Sequence, residues 1–460
     1  MKKSLASITT FFAALLFAFL VKSAPAQTYT DLFNFNGANG AAPTYPNILT
    51  QGRDGNLYST TLLGGDGGSG GVVFKVSLSG EQTVLFNFGF ESGNGYQPWS
   101  GLTLGLDGNF YGTTTEGGSG CTGGCGTIFK ITPRGNLTTL YSFTGGADGY
   151  YPIAPPIQAA DHNFYGTAAP ANAYKITPDG VFTTLPTIPG YPTAPLLQAS
   201  NGHIYGTTYR GGRFDAGTLF KLYPGGATTL YSFEQDQEVF LPIGGLIEGN
   251  DGSLYGTAGG GAYREGAVFK LTPTVGMTVL HNFGDPDDPN DGEYPTAGLV
   301  LATDGNFYGV TCCGGNVGQG YGVLYEVSSS GVYSVLYNFD YTNGGEGFSS
   351  LMQDTDGKLY GLTQTGGLFQ DGALFSYDLG LQPFIRLEST SGRVGQTTGI
   401  LGQGFTTSSS VSFNGTVGTL QVLSPTYVIA TVPVGATSGY VTITTASGTL
   451  TSNVPFNVIP

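Results

Sequence analysis

The sequence predicts an all-β protein: a seven-bladed β-propeller closed by its N-terminal strand and followed by a small Ig-like β-sandwich. Three observations predict it: a short motif that recurs seven times, a period near fifty residues, and a composition that favours strands and turns. Of the 460 residues 78 are glycine, 13% are aromatic and only 10% are charged. Such a chain is poor in helix-forming segments, so its large core has to come from β-structure.

The recurring motif is a turn followed by an aromatic strand. Its copies are DGNLYST at Asp54, DGNFYGT at Asp107, DHNFYGT at Asp161, NGHIYGT at Asn201, DGSLYGT at Asp251, DGNFYGV at Asp304 and DGKLYGL at Asp356. Successive copies are 53, 54, 40, 50, 53 and 52 residues apart. A period of this length is typical of four-stranded propeller blades and exceeds that of helical repeats.

Residues 99–143 show how one repeat makes four strands. Strand a is predicted at Gly101 to Leu104, strand b at Asn109 to Thr115, strand c at Thr127 to Thr132 and strand d at Leu137 to Phe143. The Asp-Gly pair between strands a and b favours a tight turn, because glycine accepts a positive φ and aspartate bonds its own turn. The repeated tyrosine is predicted to pack between neighbouring blades, with a small residue opposite.

The two ends of the repeat region complement each other. The run LFNF at Leu32 to Phe35 resembles an outer strand d but precedes any strand a, whereas the last repeat, Phe348 to Tyr377, has no strand d. The N-terminal segment YTDLFNFN therefore supplies the outer strand of the seventh blade and removes the open edge of the ring. This predicts a propeller over residues 28–380.

The first 26 residues predict a secretory signal peptide. A basic start precedes a short apolar run and the small residues Ala24-Pro25-Ala26. We expect a monomer that is secreted or held at the cell surface or in the periplasm, without a transmembrane segment once the peptide is removed. The net charge of −15 argues against a nucleic-acid partner. Cys121 and Cys125 are expected to form a local disulfide, and the state of Cys312 and Cys313 is left open.

Long, varied loops between strands b and c, and between strand d and the next strand a, predict a binding face. They share one end of every blade, and the short turns share the other. Nine aromatic residues on this long-loop face suit the apolar faces of sugar rings, although packing of the loops is an equal explanation. These candidate ligand-binding residues are Phe90, Tyr96, Trp99, Tyr150, Tyr209, Phe214, Tyr263, Tyr294 and Tyr321.

One loop of this face is strongly acidic. It carries Asp285, Asp287, Asp288, Asp291 and Glu293 within nine residues. Carboxylates at this density suit Ca²⁺, but the spacing is not that of an EF-hand, and a solvated loop is the simpler explanation. No cofactor other than Ca²⁺ is expected. The sequence shows no catalytic motif, and no catalytic residue is predicted.

The repeat DGNxYGTTxxGG…GTxFKxTPxG…TTLYSF, seen at Asp107 to Phe143 and Asp251 to Phe283, closely resembles the Gloeo/Verruco (GloVer) tandem repeat of exported bacterial proteins. The segment 383–460 resembles an IPT/TIG immunoglobulin-like domain through the GxGF of Gly402 to Phe405, VPVGATSGYVTI from Val432 and FNV from Phe456. Its alternating strands and regular turns fit a β-sandwich. The resemblances imply an exported bacterial protein with an anchoring or spacer module, and bring no catalytic residues.

These features predict a secreted or cell-surface binding protein that recognises a glycan or protein ligand on the long-loop face. Two alternatives remain. One is an exported propeller enzyme, a lyase or hydrolase with carboxylates at the channel mouth; the other is a purely structural surface component. An enzyme requires two or three convergent acid, base or metal groups, whereas a binding face requires only aromatic and hydrogen-bonding groups.

Overall fold

The computed structural model describes residues 27–459 except 44–47, 67–69, 91–92, 224, 236–238, 273–275, 316–319 and 348. The predicted signal peptide therefore lies outside the described residues. The first part of the chain forms seven antiparallel sheets in succession, and the last forms a separate curled sheet. The predicted seven-bladed propeller is confirmed. No helix in the described ranges is both long and apolar enough to cross a membrane.

The first three blades each consist of four strands in chain order. The N-terminal strand is β1 (Thr28–Asn34). Blade 1 has β2 (Thr50–Gln51), β3 (Leu57–Thr61), β4 (Val72–Val76) and β5 (Gln82–Asn87). Blade 2 has β6 (Thr103–Leu104), β7 (Phe110–Thr114), β8 (Thr127–Ile131) and β9 (Leu137–Ser142). Blade 3 has β10 (Ile157–Gln158), β11 (Phe164–Ala168), β12 (Asn172–Ile176) and β13 (Phe182–Leu185).

Blades 4 and 5 carry extra strands from their loops. Blade 4 has β15 (Leu197–Gln198), β16 (Ile204–Thr208), β18 (Thr218–Tyr223) and β19 (Gly226–Ser232), and β14 (Gly190–Tyr191) pairs with β17 (Arg210–Gly211) beside it. Blade 5 has β20 (Val239–Pro242), β21 (Ile247–Glu248), β22 (Leu254–Gly261), β23 (Ala267–Thr272) and β24 (Gly276–Asn282). These loop strands were not predicted from the sequence.

Blade 6 has β26 (Val300–Leu301), β27 (Phe307–Val310), β29 (Val323–Val327) and β30 (Tyr333–Asn338), with β25 (Gly292–Glu293) paired to β28 (Cys313–Gly314). Blade 7 has β31 (Met352–Gln353), β32 (Leu359–Thr363) and β33 (Ala373–Asp378). Its fourth strand is β1, which pairs with β33 from Thr28↔Asp378 to Asn34↔Ala373. The ring is therefore closed by the N-terminal strand, as predicted.

The closing strand repeats the packing that joins the other blades. At the end of strand d in blade 1, the Phe88 ring meets the Phe129 ring of blade 2 at 5.4 Å between centroids. At the closure, the Phe35 ring meets the Phe74 ring of blade 1 at 5.3 Å. The closing strand therefore makes the same aromatic contact with the next blade as an internal strand d does.

The repeated tyrosine packs between blades, as predicted. Tyr58 stacks on Phe110 of the next blade at 4.0 Å, and Tyr111 stacks on Phe164 at 3.9 Å. The glycine after it has a different partner from the one expected. A Cβ on Gly112 would lie 2.6 Å from the ring of Phe129, its cross-strand neighbour in the same blade. The glycine thus makes room for an aromatic residue of its own sheet.

The turn aspartate organises its hairpin through several hydrogen bonds. Asp107 accepts from the backbone and side-chain nitrogens of Asn109, at 3.1 and 2.7 Å, and from the Tyr111 hydroxyl at 2.9 Å. Burial opposes ionisation of this carboxyl, but these bonds outweigh it and lower the pKa of Asp107. The motif is therefore a hydrogen-bonded turn that also anchors the inter-blade tyrosine.

The C-terminal part forms a curled seven-stranded sheet and a parallel strand pair around one core. Its strands are β34 (Arg386–Leu387), β35 (Ser391–Arg393), β36 (Thr397–Leu401), β37 (Ser410–Phe413), β38 (Thr416–Ser424), β39 (Tyr427–Thr431), β40 (Val441–Thr445), β41 (Gly448–Thr451) and β42 (Asn457–Ile459). Strand β38 pairs with β37 through its first residues and with β39 from Thr419 onward. The sheet bends there, so that its two halves enclose Ile400, Phe413 and Val428.

Candidate functional site on the long-loop face

The C-terminal domain lies on the tight-turn face of the propeller. Arg53, in the a–b turn of blade 1, donates to both carboxylate oxygens of Glu388 at 2.6 and 2.9 Å. The same guanidinium donates to the carbonyl of Leu106 in blade 2 and lies over the Tyr427 ring at 4.6 Å. One bidentate pair thus ties the domain to two neighbouring blades.

Further hydrogen bonds join the domain to blade 7. The backbone nitrogen of Phe384 donates to the Thr355 carbonyl at 3.0 Å, and the Gln403 side chain donates to the Thr355 hydroxyl at 3.1 Å. Arg386 donates to the carbonyl of Gln353. These contacts cover the tight-turn end of blades 1, 2 and 7. The C-terminal domain therefore leaves the long-loop face open.

On that open face, an unusual backbone position recurs before the inner strand of the blades. Six equivalent non-glycine residues have a left-handed conformation with φ between 47° and 56°; they are Ala42, Gln97, Tyr151, Leu241, Tyr294 and Glu346. The corresponding residue of blade 4 is Tyr191, which does not share this conformation. Positive φ is uncommon for residues with a side chain, and strained positions of this kind cluster at functional sites.

Backbone hydrogen bonds hold these positions between two blades. The nitrogen of Tyr294 donates to the carbonyl of Glu265 in the b–c loop of blade 5 at 2.6 Å, and its carbonyl accepts from Cys312 in blade 6 at 3.1 Å. The nitrogen of Gln97 donates to Gly70, and its carbonyl accepts from Thr115. We call the set of Ala42, Gln97, Tyr151, Tyr191, Leu241, Tyr294 and Glu346 the mouth ring. Where both backbone groups are bonded, as at Gln97 and Tyr294, the side chain is presented on a rigid frame.

Tyrosines and a carboxylate gather on the mouth ring near blades 2 to 4. Tyr96 forms a hydrogen bond with the Glu116 carboxylate, and this bond together with burial and the charge of Tyr151 raises its pKa. Burial, with Tyr150 and Tyr151 nearby, raises the pKa of Tyr191. Tyr151 is 41% exposed. The hydroxyls of Tyr96 and Tyr191 remain protonated at neutral pH and are available as donors and acceptors.

Across the ring, the three glutamates Glu265, Glu293 and Glu346 lie near Tyr294 and two thiols. Hydrogen bonding to Glu265, with burial, raises the pKa of Tyr294 to about 12. Burial and the charge of Glu265 raise the pKa of Glu293. Cys312 is buried and Cys313 is half-buried, and both are free thiols, which answers the open question about this pair. The other pair, Cys121 and Cys125, is disulfide-bonded as expected.

The nine predicted aromatic residues lie in separate groups around the face. Phe90 and Tyr96 meet edge to face at 4.7 Å, and Tyr150 lies beside Tyr151 at 5.0 Å. Trp99 is partly buried, and Tyr263 and Tyr294 are exposed. The guanidinium of Arg210 lies over the Tyr209 ring, and that of Arg213 lies over the Phe214 ring. The Tyr321 ring packs on the Tyr341 ring at 4.9 Å between centroids. Loop packing therefore accounts for several of these residues, and ligand contact by the exposed ones stays a prediction.

The acidic loop directs most of its carboxylates to its own backbone. Asp291 is 4% exposed; its Oδ1 lies 3.0 Å from Nε2 of His281, and its Oδ2 accepts from the backbone nitrogen of Asp285 at 3.2 Å. Asp285 in turn accepts from the nitrogen of Asp287, and Asp288 from that of Asn290. Within the described ranges, no three His, Cys, Asp or Glu side chains form a group that could hold a metal ion. A calcium site here stays a prediction.

Several residues of this face were not among the sequence candidates. They are Tyr151, Tyr191, Glu116, Glu265 and Glu346. A signal for the mouth ring is present in the sequence, because a proline follows its member in six of the seven repeats, as in Gln97-Pro98 and Tyr294-Pro295. The carboxylates have no such signal, since their proximity to the tyrosines depends on how neighbouring blades meet.

Comparison with known families identifies the repeat. A family model described as the Gloeobacter/Verrucomicrobia repeat matches residues 17–177 and 191–422. The chain belongs to this family. The match covers the propeller and extends into the C-terminal domain, which confirms the GloVer resemblance. No curated protein sequence matches this GloVer chain.

One solved structure shows the same fold at low sequence identity, and others are less similar. A fungal alcohol oxidase of the AA5 family, in complex with copper, is 12% identical with a TM-score of 0.52, and the match covers 94% of this chain and 99% of that one. A gluconolactonase from Xanthomonas campestris is 14% identical with a TM-score of 0.39, covering 75% and 98%. An auxiliary nutrient binding protein from Bacteroides ovatus is 11% identical with a TM-score of 0.42, covering 76% of each chain. At this identity, the first likeness concerns fold alone.

Proposed function

We propose that this GloVer protein is a secreted or cell-surface binding protein whose long-loop face recognises a glycan. The observation that carries the proposal is the mouth ring: rigid left-handed positions that present tyrosines beside carboxylates, on the face that the C-terminal domain leaves open. Tyr151 and Tyr294 are 41% and 39% exposed, although the backbone nitrogen of each donates a hydrogen bond, to Cys125 and to Glu265 respectively. Such exposed aromatic side chains on a fixed frame are characteristic of binding surfaces.

The chemistry of the ring suits sugars. A tyrosine ring packs against the apolar CH face of a pyranose, and its hydroxyl exchanges hydrogen bonds with ring substituents. The carboxylates of Glu116 and Glu265 each share a hydrogen bond with a tyrosine and retain acceptor capacity for sugar hydroxyls. A preformed frame also lowers the entropy lost on binding. A protein ligand is the alternative occupant of the same face.

A glycan array with the full chain tests the proposal. Tyr151→Ala and Tyr191→Ala should each weaken binding, because each removes one sugar-facing ring. Tyr440→Ala is the matched control, since Tyr440 is 53% exposed but belongs to the C-terminal domain. Glycan binding that persists in both ring variants would contradict the proposal, and so would binding lost equally in the control. Repeating the array with a calcium chelator tests the acidic loop of Asp285 to Glu293.

The remaining assignments concern location and the C-terminal module. We infer export from the signal-like residues 1–26 together with the Cys121–Cys125 disulfide, which favours an oxidising compartment. The IPT/TIG identity of residues 383–460 is supported by the GxGF and VPVGATSGYVTI motifs and by the bent sheet around one core. Detection of the processed chain outside the cytoplasm, with Gln27 at its N-terminus, tests the first inference.

A further inference from the structure

A cavity of about 650 Å³ lies between the propeller and the C-terminal domain, on the face opposite the mouth ring. Its propeller wall is formed by inner strands and a–b turns of blades 1 to 4, including Leu102–Leu106 and Ile157–Ala160. Its other wall is the segment Arg386–Arg393 with Gln396, Leu401 and Ile459 of the C-terminal domain. The docked domain thus contacts blades 1, 2 and 7 directly and leaves a space beside them. This volume is within the range of small-molecule sites.

The charged groups of this cavity are mostly cationic, although the whole chain carries a net charge of −15. Arg386 and Arg393 line it, whereas Glu388 is the one carboxylate of its lining. Glu388 is already held by both nitrogens of Arg53 and by the Tyr427 hydroxyl at 3.0 Å. The cavity therefore contains positive charge that its own wall does not neutralise.

Arg386 is the central cation of this wall. Its guanidinium donates to the Gln353 carbonyl, and burial lowers its pKa. Among the described residues no carboxylate lies within 4.0 Å of its nitrogens, and Asp354 acts on it only from a greater distance. A guanidinium without a close carboxylate has most of its N–H donors unused. Its planar group can donate two parallel hydrogen bonds to the two oxygens of one carboxylate.

The rest of the lining alternates apolar and hydroxyl or amide groups. Ile48, Leu104 and Leu387 offer apolar surface, and Thr103, Ser389 and Gln396 offer polar groups. Such a mixture fits a molecule that has both CH faces and hydroxyls. From this lining and the free charge of Arg386, we propose that the interdomain cavity binds a small hydroxylated carboxylate, of the sugar-acid class, with its carboxylate on Arg386.

Isothermal titration of the full chain at pH 7 with D-glucuronate, and with D-glucose as the neutral analogue, tests this site. Because the charge-assisted pair is missing in glucose, glucose should bind roughly ten- to hundredfold more weakly. Arg386→Gln should weaken glucuronate binding by a similar factor. Equal affinity for the two sugars, or no heat with glucuronate at millimolar concentration, would overturn the proposal.

A cavity-filling variant keeps the test decisive if Arg386→Gln does not fold. Ala160 is an exposed residue of the a–b turn of blade 3 and lines the cavity, so Ala160→Trp should abolish glucuronate binding. Asn250→Trp is the matched control, because Asn250 holds the same repeat position in blade 5 and is not part of the lining. Tyr151→Ala, on the opposite face, should leave glucuronate binding unchanged. Binding lost in Tyr151→Ala but kept in Ala160→Trp would refute this site without affecting the glycan proposal.

Discussion

Replacing Asp354 with asparagine should stabilise the protein at alkaline pH. The other six repeats have glycine or alanine at this position: Gly52, Gly105, Ala159, Ala199, Gly249 and Ala302. Asp354 is fully buried at the junction with the C-terminal domain. Its Oδ2 accepts from the nitrogen of Asp356 at 3.3 Å and lies 3.5 Å from the amide of Gln403, whereas its Oδ1 has no hydrogen-bond partner among the described residues. A buried, half-bonded carboxylate is costly to ionise.

The size of the effect follows from the pKa. Burial first, and then the charge of Asp356, raise the pKa of Asp354 from 3.8 to about 7, although the charge of Arg386 opposes them. The folded protein therefore binds this proton more tightly than the unfolded chain. The stability contribution is complete below pH 4 and is lost as the pH rises through 7. The folded-state pKa of Asp354 is thus roughly three pKa units above its ordinary value. Since one pKa unit corresponds to roughly 1.4 kcal/mol, this difference contributes roughly 4 kcal/mol to the free energy of unfolding.

Urea unfolding of wild type and Asp354→Asn at pH 5 and pH 8 measures this difference. The amide stays neutral, so the variant should have about the wild-type midpoint at pH 5 and a higher one at pH 8. Asp288→Asn, in an exposed loop, is the control and should shift neither value. If Asp354→Asn is less stable than wild type at pH 8, attraction between Asp354 and Arg386 outweighs burial, and the reasoning is wrong.

Three further substitutions test the fold. Phe35→Ala removes a fully buried ring at the closure of the propeller. It should lower the free energy of unfolding by roughly 3–5 kcal/mol. The control is Phe90→Ala, because the Phe90 ring is 54% exposed. Gly112→Ala places a Cβ 2.6 Å from an aromatic ring and should lower the free energy of unfolding by roughly 1–3 kcal/mol. In the control Gly89→Ala the new Cβ meets no atom within 4 Å, so stability should not change. Equal effects of the two substitutions would contradict the packing argument. Glu388→Gln weakens the bidentate pair between the two domains and should reduce the free energy of docking by roughly 2 kcal/mol. The expected result is faster proteolysis of residues 379–383. An unchanged rate would show that other contacts hold the domain.

Two ionisable groups meet at the junction between the propeller and the C-terminal domain. Asp354 and Arg386 come from different domains, and neither has a close partner of opposite charge within the described residues. The C-terminal domain thus encloses groups that are incompletely satisfied, beside a cavity. A module acting only as a spacer would not require a cationic cavity on the propeller, so the binding experiments with glucuronate also examine that expectation.

The sequence by itself determined the fold, because its repeats are local. Each turn aspartate forms hydrogen bonds with residues two and four positions away, and each short strand pairs with its neighbour in the chain. The strand pattern of a blade can therefore be predicted from one repeat, such as Asp107 to Phe143. The ring closure was also predictable, since one end lacks the strand that the other supplies. The local disulfide followed from a spacing of four residues between Cys121 and Cys125.

The tertiary structure decided which face is open, where charges gather and which aromatic residues pack. Docking of the C-terminal domain depends on Arg53 meeting Glu388, which is 335 residues distant in the chain. The mouth ring and the interdomain cavity form where neighbouring blades or whole domains meet, so their residues are far apart in the chain. The physical reason is that periodic hydrogen bonding and hydrophobic alternation are written locally, whereas desolvation and charge pairing depend on distances that exist only once the chain is folded.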